Sequence, residues 1–241
     1  MKRLLLAAAA GFSTASAPAA AQEYLHLSIG WLEVTSGTNT PVPNPNRILE
    51  PGESARLSIS VLIDPPIGSP VTYTPPPPPG IGTLAGLGAI FVDLLAGTGP
   101  SPSGAGSWAF IAQAPGWALG SPGTPTYAGA YMLGIQAGQF IPPSGTANSS
   151  NPIPDIWHGV WTPSVYSDRA EVWNLSPALP GPSQLAILVR YGTDPSGNPQ
   201  YVVKFVPGTY GSTTIPIIPA PSAFLVLAPL LARRRRRGAL P

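Results

Sequence analysis

The stretch SARLSISVLI, residues 54–63, places apolar side chains at Ala55, Leu57, Ile59, Val61 and Ile63 and polar ones at Ser54, Arg56, Ser58 and Ser60. Strict alternation is the pattern of a strand with one face in a core and the other in solvent, because successive Cβ atoms point to opposite sides. A helix would need its apolar residues three and four apart. The same period recurs along the chain. QLAILVRYG and QYVVKFVP flank TDPSGNP, whose Asp194, Pro195 and Gly197 suit positions i, i+1 and i+3 of a type I turn, so residues 184–206 read as a β-hairpin. EYLHLSIGWLEV (23–34) changes apolar phase between Trp31 and Leu32, which predicts a bulge. LGAIFVDLLAG (87–97), SWAFIAQA (107–114), YAGAYMLGIQAG (127–138) and AEVWNL (170–175) are further strand candidates.

Between these runs lie most of the 34 prolines and 27 glycines, which break helices and mark turns at short intervals. Seven or eight short strands so separated predict an all-β fold, an antiparallel β-sandwich of the Ig-like or jelly-roll-like kind, over residues 22–215. Pro75 to Pro79 must form polyproline II. Two readings of it stay open, a rigid surface loop between strands and a linker. GIGTLAG (80–86) lacks dinucleotide-site spacing and reads as a turn or bulge, and GTGPSPSGAGS (97–107) and IPPSGTANSSNPIPD (141–155) read as loops.

Charge is scarce, 9% against the ~25% of an ordinary domain. Of 12 basic residues, Lys2 and Arg3 lie near the start and Arg233, Arg234, Arg235, Arg236 and Arg237 near the end. Arg47, Arg56, Arg169, Arg190 and Lys204 therefore face all 10 acids in the body, whose net charge is negative. This excludes a nucleic-acid partner, which needs clustered lysine and arginine on one face. The N-terminus, MKR followed by LLLAAAAGF and APAAAQ, has the basic start, short apolar stretch and small residues of a secretory signal cleaved after Ala21. With no cysteine the exported body has to be held by its core alone.

The segment 216–241 combines Pro219-Ala220-Pro221, the apolar run AFLVLAPLLA (223–232), read as a short hydrophobic helix, and the five arginines. Ten apolar residues make only ~15 Å of helix, short for a bilayer of ~30 Å, and the arginine block holds its flank on the cytoplasmic side. This order resembles the PEP-CTERM sorting signal, in the Pro-Ala-Pro form seen in planctomycetes. The resemblance covers about the last 23 residues and implies handling by signal peptidase and an exosortase-like membrane enzyme. It implies an exported protein at the cell surface or in the matrix, tethered transiently or permanently by its C-terminus, and often associated with exopolysaccharide.

The residues offer little chemistry. There is no Gly-x-Ser-x-Gly elbow, and His26 and His158 follow no metal-ligand spacing, so no catalytic residue, metal or cofactor is expected. PDIWHGVW holds Asp155 and His158, with Asp168 downstream. This is an acid/base cluster on one reading and ordinary surface polarity on the other. Trp157 and Trp161, with Trp173 following, also admit two readings. On a strand the first two share a face across Gly159, and they either fill the core or flank a flat gap on which a sugar ring stacks. Two functions follow: a non-catalytic surface or matrix protein, and alternatively a carbohydrate-binding module using Trp157, Trp161 and Trp173 with polysaccharide as partner. Asn148-Ser149-Ser150 and Asn174-Leu175-Ser176 match the N-glycosylation pattern, to which a bacterial protein gives little weight.

Overall fold

The structure, a computed structural model, describes residues 22–74, 80–97, 105–139, 148–178 and 185–219. Residues 1–21, expected as a secretory signal, the run Pro75 to Pro79 and the segment from Ala220 onward lie outside the described residues. That last segment includes Pro221, the apolar run expected as a helix, and Arg233 to Arg237.

The described chain is all strand and loop. In order come β1 (Tyr24–Thr35), β2 (Glu53–Asp64), β3 (Pro70–Tyr73), β4 (Gly80–Ala96), β5 (Gly106–Gln113), β6 (Pro122–Thr126) and β7 (Tyr131–Gly138). They are followed by β8 (Ile153–Pro163), β9 (Arg169–Pro177), β10 (Ala186–Thr193), β11 (Pro199–Phe205), β12 (Gly208–Tyr210) and β13 (Ser212–Ile217). One sheet has the order β12-β1-β2-β8-β5, and the other carries the remaining eight strands. Every pairing is antiparallel except β1 with β12. The two sheets form a β-sandwich.

β2 is the strand of the opening motif. Its odd-numbered residues from Ala55 to Ile63 are all buried and its register against β1 is unbroken from Tyr24↔Asp64 to Thr35↔Glu53. The hairpin expected over 184–206 forms, pairing Ala186–Thr193 with Pro199–Phe205. Gly197 N donates to Asp194 O (2.9 Å) and Asp194 Oδ1 accepts from the backbone of Ser196 and Asn198. The 80–86 segment opens β4 and supplies a bulge, the register with β10 shifting between Leu188 and Val189, opposite Gly86 and Leu84.

β4 is the spine of the larger sheet. Thr83 pairs with both Pro70 and Arg190, Ala89 with Gly138 and Ala186, and Leu95 with Tyr131 and Asn174. Each double pairing puts its two partners on opposite edges. β3 and β7 therefore follow one another along one side of β4, and β10 and β9 along the other.

Two expectations are corrected. The phase change at Trp31 produces no bulge. β1 stays in register, Trp31 points in with its Nε1 donating to Thr214 O (3.0 Å), Leu32 is left on the outer face, and Glu33 turns inward. A carboxylate survives there because it accepts from Ile48 N (2.7 Å) and Asn46 N (3.1 Å) and so caps the loop over β1. The described residues hold thirteen strands, not seven or eight. β3, β6 and β13 contain Pro70, Pro122, Pro125 and Pro216, which suggested turns, but a sheet admits proline at a strand's first residue and on edge strands.

The chain enters and leaves at opposite ends of the sandwich. Beside the entry, Lys204 Nζ donates to both carboxylate oxygens of Glu23 and to Thr72 O, each at 2.8 Å. β12 runs parallel to β1 from Leu25↔Gly208, and β13 continues the same way past Trp31. β13 ends at Ile217, which is buried and bridged to Leu49, two residues beyond the boundary at 215 drawn from the sequence. Entry and exit are thus separated by the length of β1, on the order of 30 Å at ~3.3 Å per residue.

Candidate functional site

Trp157 and Trp161 lie on β8 and Trp173 on β9, and all three have 0% exposure. They close the sandwich: β8 belongs to one sheet and β9 to the other, and Trp161 meets Trp173 edge-on at 5.3 Å between ring centroids. Trp108 of β5 completes the group, 5.3 Å from Trp173 and 6.2 Å from Trp157. Its ring occupies the space over Gly159, where a Cβ would come within 3.0 Å of it. The gap that a sugar ring would have needed is filled by a fourth indole, so these residues are core. An indole must expose a face to stack on a ligand, and none of the three does.

Asp155 and His158 are brought together, and Arg56 joins them. Asp155 Oδ2 accepts from Arg56 Nη2 at 2.7 Å, while Oδ1 stands 3.7 Å from His158 Nδ1, too far for a hydrogen bond. Burial, and then the Arg56 guanidinium, lower the His158 pKa below its ordinary 6.5, against an opposing pull from Asp155. The carboxylate is thus committed to the arginine, and the imidazole is favoured neutral and unoriented. Asp168 is not part of the group. Tyr166, two residues before it, donates to Glu53 O at the start of β2, whereas Asp155 N donates to Ser60 Oγ, seven residues or ~23 Å further along that strand.

One exposed aromatic surface of the described residues sits elsewhere, apart from Phe110 and Phe205. The β6–β7 connection runs through Tyr127 (φ 50°), Ala128 (φ 52°) and Gly129 (φ 83°), three successive left-handed residues closed by Gly129 N to Thr126 O at 3.1 Å. Hairpin turns of this hand normally use asparagine and glycine, since a side chain in this region costs about 1–2 kcal/mol per residue. Neighbours force the conformation. Gly106 N donates to Ala128 O (2.8 Å), Trp108 Nε1 donates to Gly129 O (2.7 Å), and a Cβ on residue 129 would lie 2.1 Å from Gly106 O.

The result is a tyrosine held away from the core. Tyr127 is 60% exposed, with its ring 4.6 Å from that of Tyr131. Tyr131, Leu95 and Asn174 form one row across β7, β4 and β9, and border a hollow of about 410 Å³ that Gly97 and Ser176 also line. Asn174 Nδ2 donates to Gly97 O at 2.8 Å, which fixes the amide and occupies the nitrogen that a glycan would need. Asn148 Oδ1 accepts from Leu87 N at 3.0 Å, and its Nδ2 is buried. Neither tyrosine carries a spacing signal in the sequence; their relation depends on the turn.

Among the described residues no group of three or more histidine, cysteine or acidic side chains is placed to hold a metal ion, and no helix is long and apolar enough to cross a membrane. Compared with known proteins, the chain matches no protein-family model and no curated sequence.

Proposed function

We propose that this chain is an exported, non-catalytic protein of the cell surface or extracellular matrix, sorted through the PEP-CTERM-like segment that follows its sandwich. The observation that carries this reading is how closely the last described strand precedes the expected motif. β13 ends at Ile217, locked to Leu49 and β9, and Pro219 begins the Pro-Ala-Pro motif only two residues later. In this reading the sorting segment follows directly on the last described strand, and its removal leaves the pairings of β13 with β9 and Leu49 in place. Cleavage after Ala21 likewise leaves every described strand whole, since β1 begins at Tyr24. The non-catalytic part of the reading is supported by the Arg56–Asp155–His158 group, whose carboxylate is committed to an arginine and whose imidazole lacks an orienting partner. Five arginines resist transfer into the bilayer at ~2.5–3.5 kcal/mol each, so replacing Arg233 to Arg237 by glutamine removes the element that holds orientation. Cell fractionation with an antibody to the body tests this. A shift of the variant out of the wild-type compartment, or loss of C-terminal processing by intact mass, is expected. Unchanged distribution and unchanged mass would overturn the sorting role.

A further inference from the structure

From the Tyr127–Tyr131 ledge and the hollow beside it we infer a binding site for a neutral polysaccharide chain on the outer face of the larger sheet. The inference stands on the geometry of this face and is independent of how the protein is sorted. Three features point to the ligand class. A tyrosine 60% exposed on a turn of left-handed residues is an aromatic face maintained at a conformational cost, and such outliers collect at functional sites. The ring is backed by Tyr131, which itself lines a hollow of about 410 Å³, within the ~300–1,000 Å³ of small-ligand sites. The walls supply a fixed amide at Asn174, the Ser176 hydroxyl and the apolar Leu95, and none of the lining residues is charged. A pyranose offers this surface what it needs, an apolar C–H face for the negative face of the ring and hydroxyls for amide and hydroxyl partners.

Electrostatics narrow the class further. Asp93 lies opposite Ser176 in the β4–β9 register, with its Oδ1 accepting from Gly134 N (2.7 Å), so a carboxylate stands next to the hollow and no basic residue lines it. An anionic polymer or a nucleotide phosphate would find repulsion and no cation. The neutral polymer is therefore the match. The frame behind the site is rigid: Trp173 precedes Asn174 on β9 and is wedged between Trp108 and Trp161, while Trp108 holds the turn through Gly129 O.

The test is affinity electrophoresis of the mature exported protein in native gels containing mannan, a mixed-linkage β-glucan, dextran or alginate. Retardation by at least one of the three neutral polymers and none by alginate is expected, with the effect weakened at least tenfold in Tyr127→Ala and kept within about threefold in Tyr127→Phe, which preserves the ring. Melting temperatures control for folding, since Tyr127 is exposed and Tyr127→Ala leaves that value within a few degrees of wild type. No retardation on any neutral polymer, retardation by alginate alone, or equal retardation of wild type and Tyr127→Ala would each overturn the assignment.

Discussion

The molecule holds two aromatic groups that differ in almost every respect. Trp108, Trp157, Trp161 and Trp173 interlock at the centre of the sandwich with tilted and edge-on contacts, and the last three are fully buried. Tyr127 and Tyr131 lie on the outer face of the larger sheet with one ring largely in solvent. None of the tryptophans is itself left-handed, whereas Tyr127 stands where a bulky residue is a backbone outlier. Spacing within a strand selects a face, and the face that gathers large rings is ordinarily the one that faces the core. Exposure maintained against backbone preference is the better mark of a surface that does something. The two groups are also coupled, because Trp108 belongs to the wedge and its indole nitrogen holds the turn that presents Tyr127.

The sharpest way to break this contrast is to remove the wedge. Trp173→Ala should cost about 3–5 kcal/mol of unfolding free energy, the range for truncating a buried tryptophan, read from urea denaturation. Trp173→Phe should cost much less. Trp173 Nε1 has no hydrogen-bond partner among the described residues, so no bond is lost with it. Trp108→Phe comes next, at about 1–3 kcal/mol, because the Gly129 carbonyl loses its donor. Unlike Trp173→Phe it should also weaken polysaccharide retardation, and equal effects of the two variants on retardation would uncouple wedge from ledge. Ala128→Gly acts in the opposite direction. Ala128 is exposed at φ 52°, and glycine relieves that conformation at the expense of greater freedom in the unfolded chain, so a gain of about 0.5–1 kcal/mol is expected with Tyr127 left in place.

The smallest effect is a pH dependence. Folding lowers the His158 pKa, so the unfolded chain binds a proton more readily than the native one. The stability associated with this group is complete above the unfolded value of 6.5 and declines as pH falls from there toward the lower folded value. Denaturant midpoints between pH 7.5 and 5 should fall more for wild type than for His158→Gln.

How far the sequence reaches differs between the two groups for a physical reason. β2 and the 184–206 hairpin were legible because alternation and turn chemistry are local, and both formed as read. The β-sandwich followed from them. β1 misled at Trp31, where the local pattern asked for a bulge and the tertiary environment instead supplied a hydrogen-bonded socket for Glu33. The clustering of Trp157, Trp161 and Trp173 was visible in spacing, but the choice between core and platform was not. It depends on Trp108, 49 residues before Trp157, arriving over Gly159. The tyrosine ledge had no local signal. YAGAYMLGIQAG reads as one strand from its apolar content, whereas its first four residues form the turn, bent left-handed by Gly106 and Trp108 from another sheet.

The contrast between a buried tryptophan wedge and a ligand-bearing tyrosine ledge is tested most directly by hydroxyl-radical footprinting with mass spectrometry, on the mature protein alone and with whichever neutral polysaccharide retards it most. Tyr127 should be among the most heavily oxidised residues in the free protein and should be protected by the polymer, while Trp157, Trp161 and Trp173 stay unmodified in both samples. Oxidation of those tryptophans in the free protein that the polymer suppresses, with Tyr127 unchanged, would return the site to the tryptophans and contradict the account.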